Sequence, residues 1–170
     1  MTGQHYRDTT GAYGRPQPVN VRDGRIVGGR RSRATTVALD GPATPASVAL
    51  VAELLSSLTR KRLMITTNNK EPNLDFLASL PPLHALTVLR TDTRDLGVLA
   101  EHSDALEELH LELGRGSVAV EPLGALPHLR RLYLRKTGSG SVKAAPEALA
   151  EATALEHLVL HSITLPSLAP

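Results

Sequence analysis

One spacing constrains this chain more than anything else in it. The pattern L-x-x-L-x-L stands at Leu106, Leu109 and Leu111, again at Leu129, Leu132 and Leu134, and again at Leu155, Leu158 and Leu160. Upstream it reads Leu83, Leu86 and Val88, with fainter copies at Arg60, Leu63 and Ile65 and at Ala34, Val37 and Leu39. The first positions are 34, 60, 83, 106, 129 and 155, so consecutive copies lie 26, 23, 23, 23 and 26 residues apart. A single copy means little in a leucine-rich chain; six at nearly constant separation describe one structural unit used repeatedly.

Composition agrees with that reading. Apolar residues make up 41% of the 170 residues but aromatics only 2%, so a core has to be built from Leu, Val, Ala and Ile. In each copy the two residues that end the pattern are two apart, which on a strand puts both on one face, inward, with the residues between them pointing out. Each strand pairs with its copy one unit away, giving a parallel sheet. Between strands, return segments carry apolar residues that close the core from the other side, such as Leu74, Leu77 and Leu80, Leu96 and Leu99, Leu123 and Leu126, and Leu149 and Ala152. The 23-residue units leave room for extended or 3-10 returns, as Leu80-Pro81-Pro82 and Leu126-Pro127 suggest. The 26-residue units have room for a helix: Pro45 to Ser57 has Val48, Val51, Leu54, Leu55 and Leu58 at helical spacing, and Pro146 to Ala152 opens on a proline, tolerated in a first turn.

These features resemble the leucine-rich repeat family, in a bacterial-type version, over roughly residues 34 to 165. The resemblance implies an α/β leucine-rich repeat solenoid: a curved parallel sheet of about six strands, near 36–40, 62–66, 85–89, 108–112, 131–135 and 157–161, with short helices or 3-10 turns on the convex side. The family signature continues to an Asn or Cys that bonds the turn; here that position holds Asn68, Thr91, Gly114, Thr137 and Ile163, so the polar ladder of the turns departs from the family pattern.

The two ends differ from the middle. Val19 to Val27 alternates apolar residues around Asp23-Gly24, a β-hairpin signal. With its linker, over 19–33, it reads as an N-terminal cap on the first core layer of the array at 34–170. Residues 1–18 read as a disordered leader. Residues 1–33 hold seven arginines against Asp8 and Asp23, a balance of +5, which leaves −3 for the remainder of a chain whose net charge is +2. Such an arm is either solvated or a contact for nucleic acid or an acidic partner through Arg25, Arg30, Arg31 and Arg33. At the other end, Ile163 to Pro170 resembles the return of a seventh unit whose strand pattern would begin near 178. Either the chain is a piece of a longer protein, or its last layer is exposed and available for self-association.

Function is expected on the outward strand positions. In the leucine-rich repeat family the concave strand face usually binds the partner. Here that face would carry Thr36, Ala38 and Asp40; Arg62, Met64 and Thr66; Ala85, Thr87 and Leu89; Glu108, His110 and Glu112; Arg131, Tyr133 and Arg135; and His157, Val159 and His161. Glu108 and Glu112 should lie one strand, about 4.8 Å, from Arg131 and Arg135. They form either two exposed ion pairs worth about 0–1 kcal/mol each, or a polar recognition patch centred on Tyr133, since Tyr and Arg are enriched in interface hot spots. Met64 and Leu89 add apolar surface.

Catalysis finds little footing. His157 and His161 are four strand residues, about 13 Å, apart, too far to share a metal. No P-loop, dinucleotide fingerprint or H-E-x-x-H stands in the chain, and without cysteine there is no thiolate metal site or disulfide. Gly138 to Ser141 reads as a flexible linker. The expectation is a non-catalytic protein–protein interaction module without cofactor or metal. The alternatives are an accessory or sensor piece of a larger enzyme or signalling protein, or nucleic-acid contact through the arm. No signal peptide and no stretch of about 18 apolar residues are present, so a cytoplasmic location is expected.

Overall fold

The computed structural model describes residues 18–29, 34–66, 74–143 and 146–163. They form a mixed α/β fold with few helices and one dominant, mostly parallel sheet. In chain order the elements are β1 (Val19–Arg22), β2 (Arg25–Gly28), β3 (Val37–Leu39), α1 (Pro45–Ser56), β4 (Arg62–Ile65), β5 (Ala85–Thr91), β6 (Glu108–Leu113), β7 (Val118–Ala119), β8 (Arg131–Lys136), β9 (Val142–Lys143), α2 (Pro146–Glu151) and β10 (His157–His161). The main sheet runs β10-β8-β6-β5-β4-β3-β1-β2; β7 and β9 make a separate parallel pair.

Register follows the leucine spacing. Leu63 pairs with Leu86, Leu86 with Leu109, Leu109 with Leu132, and Leu132 with Leu158. Side chains alternate between the faces of each strand, so the second member of one strand meets the second member of the next, and Leu63, Leu86, Leu109 and Leu132 all lie buried in one core. The second inward row, Leu39, Ile65, Val88, Leu111 and Leu134, is buried beside it. Three 3-10 segments, Asp75–Ser79, Gly97–His102 and Glu121–Leu123, bury Leu77, Leu99 and Leu123 against the far side. Helix α1 occupies one of the longer intervals. Thr44 caps it, its hydroxyl accepting from the Ser47 N–H at 3.2 Å, and Val51, Leu54 and Leu55 enter the core.

The hairpin lies beside β3, the first of the regularly spaced strands. β1 and β2 pair antiparallel around Asp23 and Gly24, both at positive φ as a tight two-residue turn requires. β1, however, also pairs in parallel with β3, so the hairpin extends the sheet to eight strands instead of about six. The reason is burial: Val19 and Val21 face the same interior as Val37 and Leu39 and are as fully enclosed. The buried Ser47 hydroxyl accepts from the Gly24 N–H at 2.9 Å and ties the hairpin turn to the start of α1.

The stretch expected as a flexible linker is an ordered turn. Gly138 and Gly140 stack on Gly114 and Gly116, so closely that a Cβ on Gly140 would sit 2.2 Å from the Gly116 carbonyl oxygen. Gly116 N–H donates to the Ser139 carbonyl at 2.9 Å, and the Ser117 and Ser141 hydroxyls meet at 3.1 Å. Lys136, buried at the end of β8, donates from Nζ to the carbonyls of Gly114 and Ser139 in these two turns. Burial pushes its amine below the usual lysine range, opposed by the Asp92 carboxylate. At the position where the family carries Asn or Cys, the Thr137 hydroxyl donates to the Leu113 carbonyl at 3.0 Å, and Asn68 lies outside the described residues.

Leu132 is 2% exposed between Leu109 and Leu158. Leu132→Asp would strand a carboxylate in that shared core and should cost more than about 4 kcal/mol, most of an ordinary domain's stability. Circular dichroism should show loss of the cooperative melt; an unchanged melting curve would mean the inward register is wrong.

Candidate functional site

The outward positions of β4, β5, β6, β8 and β10 line one open groove across the sheet, with Arg62, Thr87, Glu108, His110, Arg131, Tyr133, His157 and Val159 on its walls. Three cross-strand rows organise it. The first runs Arg62, Ala85, Glu108, Arg131, His157; the second Met64, Thr87, His110, Tyr133, Val159; the third Glu112, Arg135, His161.

In the first row Glu108 is the hub. Its Oε1 accepts from Arg131 Nη1 at 3.4 Å on the neighbouring strand and from Arg62 Nη2 at 3.2 Å, two strands away. Arg62 reaches that far because the residue beneath it on β5 is Ala85, which adds nothing above the sheet to block the guanidinium. Below the row, at the strand starts, Arg60 Nη2 makes a parallel crossing to Glu107 Oε2 at 2.6 Å. That hydrogen bond holds the Glu107 carboxyl below its ordinary range, against a small opposing effect of burial. The guanidiniums of Arg60, Arg62 and Arg131 remain substantially exposed, so these pairs fix geometry more than they stabilise; about 0–1 kcal/mol each is the ordinary scale.

The second and third rows meet at His110. Its ring lies 4.1 Å, centroid to centroid, from Tyr133, tilted by 47°. Its Nε2 is 3.8 Å from Glu112 Oε1, and that oxygen accepts from Arg135 Nη1 at 3.5 Å. Burial under these neighbours lowers the His110 pKa; Glu112 opposes that and Arg135 adds to it. Six of the residues singled out from sequence, Glu108, His110, Glu112, Arg131, Tyr133 and Arg135, therefore form one contiguous patch on two adjacent strands. His157 and His161 flank it on β10 and are exposed, with His161 Nδ1 3.0 Å from the Ser162 hydroxyl.

Other expected positions fall elsewhere. Leu89 does not face Glu112: the β5–β6 register shifts between Val88 and Thr91, where Arg90 takes a φ of 57°, so Leu89 sits in a bulge. Ala38 is fully buried. Arg25 is exposed on β2 at the far edge of the sheet, and Arg30, Arg31 and Arg33 lie outside the described residues. The spacing puts Arg62 and Glu108 in one row, two 23-residue units apart, but says nothing of a side chain that crosses the strand between them, as Arg62 and Arg60 do. Among the described residues no three His, Asp or Glu side chains gather as a metal set, and no helix is long and apolar enough to cross a membrane. Compared with protein-family models, curated proteins and solved structures, the chain has no match.

His102, buried at the end of its 3-10 segment, accepts the Leu83 N–H on Nδ1 at 3.3 Å. Burial lowers its pKa, against the Leu77 backbone and Glu101. Both His102 and His110 are thus held neutral more firmly when folded than when unfolded. Above the ordinary histidine value of 6.5 their contribution to stability is complete; as the pH falls below it the unfolded chain takes up protons first and stability declines. Urea midpoints should fall between pH 7.5 and 5.5, and the fall should shrink in His102→Gln. A midpoint that stays flat or rises on acidification would contradict the burial of both rings.

Proposed function

We propose that this chain is a leucine-rich-repeat-type solenoid that acts, without catalysis of its own, as a protein-interaction module. Its partner binds across the outward strand face, the concave side in such a solenoid, with Tyr133 at the centre. The observation that carries this reading is the patch itself. Tyr133 and His110 pack ring against ring, and Glu108, Glu112, Arg131 and Arg135 surround them in fixed cross-strand pairs. A face whose side chains are already held in place loses little rotamer freedom on binding, so more of the contact energy is left as affinity. Aromatic and arginine anchors ringed by polar pairs are the usual composition of an interface centre. The 23-residue offset that carries Leu63 to Leu86, Leu109 and Leu132 supports the solenoid reading, and the outward placement of Tyr133 and its charged neighbours supports a role in recognition.

Affinity capture from the native lysate, compared between the intact chain and Tyr133→Ala, tests it. A partner should be retained by the intact chain and lost by the variant, a weakening of roughly 2 kcal/mol or about thirtyfold in Kd, with melting temperature nearly unchanged because Tyr133 stands outside the core. A partner held equally by both proteins places recognition elsewhere, and a large loss of stability in the variant means Tyr133 supports the fold.

A further inference from the structure

β10 is the last strand of the sheet, paired with β8 on one side only among the described residues. Leu158 is 44% and Val159 47% exposed, on opposite faces of that strand. His157 N–H donates to the Arg130 carbonyl on the β8 side. In a parallel ladder alternate residues bond to the same neighbour, so Leu158 and Leu160 turn their N–H and C=O groups to the open edge. The strand reads His157-Leu158-Val159-Leu160-His161, the same in both directions about Val159.

From this edge we propose that the chain self-associates as a two-fold dimer, β10 pairing antiparallel with the β10 of a second copy about an axis midway between the two Val159 residues. The sequence symmetry is what selects a second copy over another partner. Only an antiparallel pair centred on Val159 sets Leu158 against the partner's Leu160 and His157 against the partner's His161, each residue meeting its match twice in a self-complementary contact. The backbone phase agrees. Leu158 and Leu160 would exchange their edge hydrogen bonds with the partner's Leu160 and Leu158. Val159 would face the partner's Val159 at the close, non-hydrogen-bonded position. Pairing covers the exposed Leu158 on the core side and Val159 on the other, and removes the open edge that parallel sheets otherwise leave as a template for disordered association. Val159 also stands on the wall of the groove, but the test reads self-association of the chain alone and so fails or succeeds separately from partner capture.

Sedimentation of the full chain over a range of concentrations should show the mass rising from 18.2 kDa to twice that value. Val159→Glu places like charges face to face on the axis while touching no core residue, and should hold the chain at 18.2 kDa with its melting curve retained. Val159→Cys gives a chain with a single thiol that meets its own copy across the axis. Under mild oxidation it should form a disulfide dimer rapidly, whereas Val27→Cys, 55% exposed on β2 at the opposite edge, should not. A wild-type chain that stays monomeric at every concentration overturns the proposal. So does association that Val159→Glu leaves intact, or equal cross-linking of the two cysteine variants.

Discussion

Leu109 has Leu86 on one side and Leu132 on the other, each one strand away and 23 residues off in sequence. Everything else in the molecule depends on that alignment being kept from strand to strand. A strand that slipped by one residue would turn its leucines to solvent and its arginines into the core. Each fully buried leucine contributes roughly 1.5–3 kcal/mol, so a slip along a strand with two such residues carries a penalty comparable to a large part of a domain's net stability. Because the two main inward rows set aliphatic against aliphatic, the interior needs no large aromatic to fill it, and Phe76, the one phenylalanine, is only partly buried beside the core.

What spacing can encode, it encoded well. The six expected strands, helix α1 over Pro45–Ser56 and the tight turn at Asp23-Gly24 are all where residue pattern alone puts them, because each depends on a local period or on a residue type with one preferred backbone conformation. β1 joining the sheet next to β3 was not legible. Val19 and Val37 are 18 residues apart, off the 23- and 26-residue spacing, and Val19 belongs to no L-x-x-L-x-L copy, so only tertiary burial brings them into register. The stack of Gly138 and Gly140 on Gly114 and Gly116 differs from the expected linker for a related reason: glycines that allow flexibility and glycines that allow close approach look alike in sequence. The signal that separates them is the match of Gly-Arg-Gly-Ser at 114–117 with Gly-Ser-Gly-Ser at 138–141.

The patch around Tyr133 was legible in its membership but not in its wiring. Strand alternation is enough to put Glu108, His110 and Glu112 beside Arg131, Tyr133 and Arg135. That Arg62 joins them depends on the reach of a long side chain over a small one, Ala85, and reach is set by what the intervening strand leaves empty. Likewise His110 stands on an outward site, yet it is partly buried beside Tyr133, and that burial lowers its pKa. Outward on a strand fixes a direction; the neighbours on the same face decide whether that direction ends in water.

The strand face around Tyr133 and the edge of the sheet meet on β10, and the geometry of each bears on the other. In-sheet pairing of two copies about an axis normal to the sheet keeps both outward faces on the same side. β8 is one strand in from β10, so the two Tyr133 residues of such a dimer would stand three strand spacings apart, about 14 Å, flanked by four histidines at the seam. A partner engaging one patch would then find an identical one at fixed distance and orientation. The second contact is made at high effective concentration, and weak sites on exposed side chains suffice for firm binding. A monomer would have to supply the same affinity from one patch whose ion pairs are individually worth little in water. Edge pairing and face recognition thus draw on one constraint, a strand register strict enough to repeat the same surface chemistry in the next copy.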